Sequence, residues 1–448
     1  MENTERLGET VRDLVGSGRR ERLAQVLAEA HAADIAAALR DLPVAEQVTV
    51  FRLLTRDQAG SVLGELNEPT LSELAAALDP AELSGLLDRL PPEDAAQVLE
   101  ELPAEQSEQV LDLMKEERSE EVQELLEYGE KTAGRIMSPD VLAVHETLSV
   151  SQAIEQVRKS PVAETAQTLY MVDDHEHLVG SLPWRRLITA DPATPVGLLR
   201  QDEPVSVTPE TDQEEVAQLV AKYDMVAVPV VDHDHRLLGV ITVDDVIDII
   251  REEATEDIQR LGGAGGDETV FDPASAVFGA RMLWRLVNLG TAILAASVIG
   301  LFEGSIKSLA TLAIFMPIVA SMGGISTTQT ATVVIRGLAL GDMTSAHVWR
   351  VLRKEATLAL TTGLANGILM GLIAYVWKGQ ILLAVIIGVA MVINMMVAAS
   401  VGVVIPLLLK GFRVDPAIAS SVIITTFTDV CGFFSFLGLS TLLIRFLL

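Results

Sequence analysis

The sequence predicts a multidomain protein that combines an all-α helical-repeat solenoid, an α/β tandem pair and an all-α transmembrane domain of five helices. Three observations lead to this fold class. Leucines recur at one constant interval, at Leu42, Leu54, Leu66, Leu78, Leu90 and Leu102. A longer motif of strands and helices occurs twice between positions 138 and 251. Positions 276–448 then contain five apolar stretches, each of the ~20 residues that a membrane-spanning helix needs.

Charge is unevenly distributed along the chain. Asp and Glu together number 62, and Lys and Arg number 33. All but five of the acidic residues lie within positions 1–275, whereas eleven of the basic residues lie beyond them. Phosphate binding requires Lys and Arg, so this balance excludes nucleic acid as a partner. An acidic surface of this kind suits either cation binding or plain solvation.

Two further features concern the cell compartment. Cys431 is the single cysteine, which excludes an internal disulfide. The N-terminus, MENTERLGETVRDL, is acidic and polar and lacks the features of a signal peptide. We therefore expect the first domain to stay in the cytosol.

Residues 1–130 form the predicted acidic helical-repeat domain. Most of the periodic leucines are followed by Pro, Asp, Asn or Thr and then by acidic residues, as in LDPAEL and LPPEDA. Proline and carboxylates are favoured at helix N-termini. We therefore expect a stack of short helices, with each terminal leucine buried against the next helix. A scaffold or partner-binding surface is the simplest function, and the carboxylates at Glu93 and Asp94 are available to face a neighbouring domain.

Residues 131–251 carry the duplicated motif. The stretch TLYMVDDHEHLVGSLPWRRL is matched by MVAVPVVDHDHRLLGVITVDDV, and each copy is typical of strand, helix, strand, turn, strand and helix. The pair resembles tandem CBS domains, because GVITVDDV carries that family's Gly-apolar-Thr-x-x-Asp ending. The resemblance implies that Thr242 and Asp245 hold the ribose and phosphates of ATP or another adenine nucleotide. A structural pair without a ligand is the alternative.

Residues 252–275 are predicted to form an acidic connecting helix followed by a flexible joint, GGAGGDE. Glu252 and Glu256 stand four residues apart, as do Glu253 and Asp257, and like charges at this spacing destabilise a helix unless they are neutralised. Two explanations remain open. The residues form a solvated face, or a divalent cation bridges them to another acidic surface.

The transmembrane domain, residues 276–448, is predicted to span the membrane at 283–302, 309–340, 356–377, 381–409 and 417–447. Basic residues concentrate before the first span, between the second and third, and between the fourth and fifth. The positive-inside rule then makes this a multi-pass protein of a bacterial-type plasma (inner) membrane, with cytoplasmic N-terminal domains and the C-terminus outside.

Spans two and five carry the polar groups expected of a pore. Pro317, Gly323 and Gly324 predict an interrupted helix in span two, and Gln329 adds a polar group beyond them. Packing of small residues is the alternative for the glycines. In span five, Asp429 is the only carboxylate within the spans as predicted. A charge there costs at least ~2.5–3.5 kcal/mol, so it indicates either a functional site or a polar helix contact.

The whole arrangement resembles the MgtE family of magnesium channels and transporters. Its telling motifs are Gly323-Gly324 with the later Gln329, and Asp415-Pro416 with Thr428-Asp429-Val430. The resemblance implies a homodimer with a pore on its two-fold axis, in contact with lipid and binding divalent cations. The implied pore residues are Asp429, Thr425, Thr428, Ser421, Gln329, Gly323 and Gly324. The implied metal ligands are Asp429, Asp415, Asp94, Glu214, Ala221 through its carbonyl, Asp224, Asp245, Asp248, Glu253, Glu256, Asp257 and Gly134 through its backbone.

The function implied is a channel or transporter that imports Mg²⁺ down its electrochemical gradient and closes when cytosolic Mg²⁺ binds the acidic domains. It is not an enzyme, and no phosphate-binding Gly-rich Lys-Ser/Thr loop is present to support ATP hydrolysis. The chain lacks the asparagine that often follows the Gly-Gly pair in span two, and it has Ser421-Val422 where Asn-Pro is common. Transport of Co²⁺, Mn²⁺ or Ni²⁺ therefore remains an alternative, as does a CBS-regulated membrane sensor or scaffold.

Overall fold

The computed structural model describes the chain except residues 1, 165, 201–203, 267, 271, 344, 413 and 444–448, and except the side chains of residues 2–5, 68, 164, 345 and 418–421. The chain divides into two compact units, Met1–Arg251 and Glu252–Leu448. Each unit is described separately below.

Ten helices open the first unit and confirm the helical repeat. They are α1 Glu2–Gly16, α2 Arg20–Glu29, α3 Ala32–Leu39, α4 Val44–Phe51, α5 Arg56–Gly64, α6 Glu68–Ala76, α7 Pro80–Leu87, α8 Pro92–Glu100, α9 Ala104–Leu113 and α10 Glu116–Glu127. The first residues of α4 to α9 follow one another at the same interval as the leucines. Leu66, Leu78, Leu90 and Leu102 are buried between these helices.

The packing order of the helices differs from the expectation. The principal contacts join alternate helices: α3 packs on α5, α5 on α7, α7 on α9, and α8 on α10. Each of the repeated helices is short and offers one apolar stripe, such as Leu83, Leu86 and Leu87 of α7. That stripe is shared mainly with the helices two places away, so the repeat forms two layers.

The rest of the first unit contains the duplicated α/β motif. The first copy comprises α11 Ala133–Ile136, β1 Ala143–His145, α12 Val150–Lys159, β2 Leu169–Val172, β3 Leu178–Leu182 and α13 Trp184–Thr189. The second comprises α14 Gln213–Tyr223, β4 Ala227–Val231, β5 Leu237–Thr242 and the start of α15 Val243–Leu261. In the first copy β1 runs parallel to β2 and β2 antiparallel to β3. In the second, β4 pairs antiparallel with β5, and a parallel bridge from Val207 to Val230 takes the place of β1. The predicted tandem order is confirmed.

Helix α15 is continuous from the second copy into the acidic segment. Its start is fixed by Thr242, whose N–H and Oγ1 donate to Asp245 Oδ2 at 3.2 and 2.6 Å. Its end is fixed by Gly263, which adopts a φ of 75° that favours glycine. The boundary between the two units therefore lies inside a helix.

In its described part the second unit adds six α-helices to the end of α15. They are α16 Ala274–Leu301, α17 Glu303–Ser308, α18 Thr311–Ala339, α19 Val348–Lys378, α20 Ile381–Gly411 and α21 Pro416–Leu442. Five of them, all except α17, are long and apolar enough to cross a membrane. One core joins α18, α20 and α21 around Phe315, Ile387 and Phe436. Helix α19 packs on α20 through glycines; a Cβ at Gly367 would lie 2.7 Å from the Gly388 carbonyl oxygen. Helix α16 is mostly exposed and contacts mainly α21.

The predicted interruption of span two is wrong, because α18 is one continuous helix. Glycine provides space here and does not break the helix: a Cβ on Gly323 would overlap the side chain of Asn394. The hydroxyls of Thr327 and Thr328 donate to the carbonyls of Gly323 and Gly324 at 2.9 and 3.0 Å. Backbone groups need internal partners in an apolar setting, and these bonds add to the regular helical ones.

Candidate functional site

An acidic cluster lies in the first unit, where the start of α8 meets the start of α15. Burial raises the pKa of Glu93 to about 7, and the neighbouring charges of Asp94 and Asp245 act in the same direction. Burial also raises the pKa of Asp94 to about 6, followed by the charges of Asp245, Asp244 and Glu65. One Glu93 oxygen, Oε2, is buried without a hydrogen-bond partner among the described residues. Crowded carboxylates with a buried, unpaired oxygen fit a cation as the missing partner.

Asp245 has two roles at this point. Burial raises its pKa, whereas the hydrogen bond from Thr242 lowers it. The Thr242–Asp245 pair, predicted to contact a nucleotide, is brought together at 2.6 Å and begins α15. The same carboxylate faces the charges of α8. Asp245 thus stands between a candidate nucleotide site and a candidate cation site.

Four other predicted ligands lie on α11 and on or next to α14. Glu214 lies in the first turn of α14, where Gln218 donates to it at 3.2 Å, and Ala221 lies about two turns further along. Asp224 follows the helix end in a left-handed conformation with φ of 51°. Gly134 donates its N–H to the Pro209 carbonyl at 2.9 Å and is packed against Tyr128.

A second acidic cluster lies in the second unit, on the C-terminal half of α15. Glu256 is buried and pairs with Arg260, and Arg260 Nη1 also lies 2.6 Å from Asp415 Oδ2. Burial raises the pKa of Asp257, and the charges of Asp415 and Glu256 raise it further. Asp415 and Glu256, both implied metal ligands, therefore lie on the same guanidinium. That guanidinium already neutralises both.

The remaining carboxylates of α15 are more exposed. Asp248 is exposed and pairs with Arg251 at 3.3 Å, and Glu253 is half-buried. Across the part of the chain that the structure describes, no three His, Cys, Asp or Glu side chains come together as ligands of one metal ion. Single-chain geometry thus provides pairs of carboxylates, which suit a cation that keeps part of its water shell.

The membrane-spanning helices place Asp429 half-buried in α21. Thr425 lies one turn earlier on the same face, with its hydroxyl donating to the Val422 carbonyl at 3.2 Å. Thr428 is fully buried and donates to the Thr425 carbonyl at 2.9 Å, so its hydroxyl serves its own helix. Ser421 belongs to α21, but its side chain lies outside the described part. Of the described predicted pore side chains, Asp429 and Thr425 share a face.

The three predicted pore residues of α18 point in different directions. Gly323 is buried against Asn394, whereas a Cβ on Gly324 would meet nothing within 4 Å. Gln329 is exposed. The two glycines therefore have different roles. Close packing requires glycine at position 323, whereas position 324 has room for a larger side chain.

Sequence reasoning missed Asn394 of α20. Its side chain is 1% exposed, and Nδ2 donates to the Val319 carbonyl of α18 at 2.7 Å. A Cβ at Gly432 of α21 would lie 2.9 Å from the same nitrogen. A lone amide in the apolar run VAMVINMMVAA was the available signal, since polar residues within spans are rare and tend to be functional.

A second carboxylate, Glu355, lies in a membrane-spanning helix one residue before the predicted start of span three. Glu355 lies in α19 at 5% exposure, where Thr330 of α18 donates to it at 3.1 Å and Lys354 pairs with it at 2.9 Å. It was missed because α19 begins at Val348, well before the predicted start of the span at position 356. The helix thus extends beyond its apolar stretch, and Glu355 is buried against α18.

Family models match three parts of the chain. One described as a divalent cation transporter covers residues 316–439, one for the MgtE intracellular N domain covers 30–131, and one for the CBS domain covers 133–195 and 198–252. The match to the CBS model agrees with the duplicated motif.

Two curated proteins and two solved structures that resemble this chain are magnesium transporters or the soluble parts of a magnesium transporter or channel. The magnesium transporter MgtE of Thermus thermophilus is 37% identical over 321 residues, which covers 71% of each chain. That of Bacillus subtilis is 32% identical over 321 residues, again 71% of each chain. The solved cytosolic domain of the Mg²⁺ channel MgtE in complex with ATP is 35% identical, with a TM-score of 0.51, and covers 54% of this chain and 99% of its own. The soluble part of a magnesium transporter is 28% identical with a TM-score of 0.51, covering 56% and 99%.

The helical repeat, the CBS pair and the apolar helices thus each have a counterpart in one group of membrane transport proteins, and over two thirds of the chain aligns with curated members at more than 30% identity. The chain belongs to the MgtE family of divalent cation transporters.

Proposed function

We propose that this protein is a magnesium channel or transporter in which Asp429 is the ion-binding group of the pore. The observation that carries the proposal is a half-buried carboxylate within an apolar membrane-spanning helix, with Thr425 on the same face. A charge at this depth is costly unless it serves an ion or a partner. The magnesium transporters named among the relatives support Mg²⁺ as the ion.

The transport step follows from the chemistry of the ion. Mg²⁺ prefers six oxygen ligands at ~2.0–2.1 Å and loses its water reluctantly. Carboxylate and hydroxyl oxygens can hold it through its water shell. In a two-fold homodimer two copies of Asp429 would face each other across the axis and share the ion's charge. A divalent ion gains about twice the ~2.3 kcal/mol per 100 mV that one charge gains on entry, so the gradient suffices.

The decisive test replaces Asp429 by Asn and measures Mg²⁺ flux into proteoliposomes. We expect flux to fall to the level of empty vesicles. Asp342→Asn is the matched control, because Asp342 is exposed outside the helices, and it should keep wild-type flux. Normal flux through Asp429→Asn would overturn the assignment. Competition with Mn²⁺, Co²⁺ and Ni²⁺ in the same vesicles decides which divalent ion is preferred.

Closure by cytosolic Mg²⁺ is the second part of the proposal. The basic connections between spans support a cytoplasmic N-terminal unit, with the C-terminus outside a bacterial-type inner membrane. The carboxylates that crowd at α8 and along α15 would then repel one another at low Mg²⁺ and be bridged at high Mg²⁺. Burial raises the pKa values of Asp94, Asp245 and Asp257, and the charges of neighbouring carboxylates raise them further.

Regulation by an adenine nucleotide is the third part. It is supported by the ATP complex of a relative's cytosolic domain and by the Thr242–Asp245 pair. Calorimetric titration with ATP should show binding that Asp245→Asn weakens by about tenfold or more, because one hydrogen-bond partner is lost. Asp191→Asn, at an exposed position of the first copy, should bind as the wild type does. Equal affinity in all three proteins would exclude this site.

A further inference from the structure

Asn394 is a buried polar side chain that the proposed transport mechanism does not use. It lies in α20 at 1% exposure, and its Nδ2 donates to the Val319 carbonyl at 2.7 Å. The carbonyl is an acceptor, so the nitrogen must face α18 and Oδ1 must point away from that bond. Oδ1 is buried and has no hydrogen-bond partner among the described residues. This directional bond therefore links α20 to α18 inside an apolar core.

Glycines let two neighbouring helices approach this amide. A Cβ at Gly323 of α18 would overlap the side chain of Asn394, and a Cβ at Gly432 of α21 would lie 2.9 Å from Nδ2 and 3.1 Å from Cγ. Real Cβ atoms are not found at such distances, so both helices contact the amide through backbone alone. Asn394 is thus a point at which α18, α20 and α21 meet.

The contact at Gly432 lies beside the proposed pore carboxylate. Gly432 follows Asp429 by three residues, which is about 4.5 Å along the helix axis and about 60° around it. An α-helix is rigid over one turn, so a change in the distance between Asn394 and Gly432 would change the depth or rotation of Asp429. The amide touches the backbone of α21, and we see no bond from it to Asp429 among the described residues.

We propose that Asn394 is a positioning residue for the pore: its amide, held by Val319, sets the place of α21 and thereby the position of the Asp429 carboxylate. This inference rests on the proposed function. It makes Asn394 a determinant of ion preference, since Mg²⁺ keeps its waters in near-ideal octahedral geometry and the Asp429 carboxylate must meet those waters at fixed positions. Displacement of a binding group by a fraction of an ångström should therefore change the Mg²⁺/Mn²⁺ ratio.

The test uses Asn394→Leu, which keeps the approximate volume but removes the bond, and Gly432→Ala, which forces α21 or the amide to shift. The full-length protein is reconstituted, and flux is measured per folded molecule with Mg²⁺ and with Mn²⁺. We expect both variants to reduce Mg²⁺ flux about tenfold and to shift the Mg²⁺/Mn²⁺ ratio by about threefold or more. The folded amount is taken from size-exclusion elution before reconstitution.

Matched controls exist on the same helices or nearby. Gly438 of α21 has nothing within 4 Å of a Cβ, and Asn366 of α19 is half-buried with Met395 Sδ at 3.9 Å from its Nδ2. Gly438→Ala and Asn366→Leu should keep both the flux and the ratio.

The outcomes separate this inference from the proposed function. A wild-type ratio in both Asn394→Leu and Gly432→Ala overturns the positioning role, including the case in which yield or flux falls, since that result assigns Asn394 to helix packing alone. If Asn394→Leu does not fold, Gly432→Ala alone decides by the same ratio. Flux that persists in Asp429→Asn overturns the proposed function instead.

Discussion

Arg260 and Asp415 are joined by an ion pair of 2.6 Å, although they lie far apart in sequence. The same guanidinium pairs with Glu256, which is buried. One side-chain cation therefore neutralises two of the carboxylates that the family resemblance assigns to Mg²⁺. A metal ion can bind both of them directly only if Arg260 moves aside.

Replacing Arg260 by Gln should make the connecting helix depend on metal. Without the guanidinium, Glu256, Asp257 and Asp415 repel one another, and the contact should weaken by about 1–2 kcal/mol. This is less than the ~3–5 kcal/mol of a fully buried pair, because Arg260 and Asp415 keep some contact with water. Hydrogen exchange of the α15 amides, measured in full-length protein with and without Mg²⁺, should show strong protection by Mg²⁺ in the variant and weaker protection in the wild type.

The control for Arg260→Gln is Arg251→Gln, because Arg251 and its partner Asp248 are both largely exposed. This change should leave the exchange pattern unchanged. If Arg260→Gln and the wild type respond equally to Mg²⁺, the guanidinium does not occupy the place of a metal ion.

The acidic cluster at α8 should make stability depend on pH. A carboxyl group with a higher pKa in the folded state binds more protons when folded, so it favours folding at low pH and loses this contribution as pH rises. For Glu93 the window runs from 4.5 to about 7, and for Asp94 from 3.8 to about 6. Glu93→Gln should therefore raise the unfolding midpoint relative to wild type at about pH 8 and have little effect near pH 4.5.

The unfolding midpoints of wild type and Glu93→Gln are compared in the presence of a metal chelator, so that no metal ion neutralises the acidic cluster. Glu105→Gln is the control, since Glu105 occupies the equivalent first turn of α9 but is exposed. It should shift the midpoint little at either pH. A Glu93→Gln effect that is the same at both pH values would contradict the role of charge.

Glu355 should stabilise the membrane unit through Thr330. Truncation to Ala leaves a void and a buried hydroxyl without its acceptor, and should destabilise the protein by about 1–3 kcal/mol. Glu355→Gln keeps an oxygen for Thr330 and should cost much less. Thermal unfolding of the detergent-solubilised protein measures both. Glu303→Ala, at an exposed ion pair with Lys307, should be neutral, and an equally neutral Glu355→Ala would show that the Thr330 bond contributes little.

Local sequence patterns predicted the helices and strands of the first unit well. Leucine spacing with proline and acidic residues located the helices from α4 to α9, because each short helix is specified within its own repeat unit. The order GVITVDDV likewise located β5 and the start of α15, where Thr242 and Asp245 bond to each other. These features depend on residues close together in the chain.

Contacts between distant segments could not be predicted in the same way. Nothing near Arg260 in sequence indicates Asp415, and nothing near Asn394 indicates that Gly323 and Gly432 approach it from two helices. The same limit explains the misassigned break in span two. Glycine pairs suit both a broken helix and a close helix contact, and only the position of Asn394 decides between them.

The alternation of contacts in the helical repeat has a consequence for how this domain can change in length. Each helix packs mainly on the helix two places further along the chain. Odd-numbered helices therefore form one layer and even-numbered helices form the other. Removing a single repeat unit, such as α6, would exchange the two layers for every later helix, so that α8 would inherit α5, the neighbour meant for α7. Removing two adjacent units, such as positions 56–79, would restore the layer of each remaining helix. Insertions and deletions in this domain should therefore be tolerated in pairs of repeat units and resisted when they add or remove a single one.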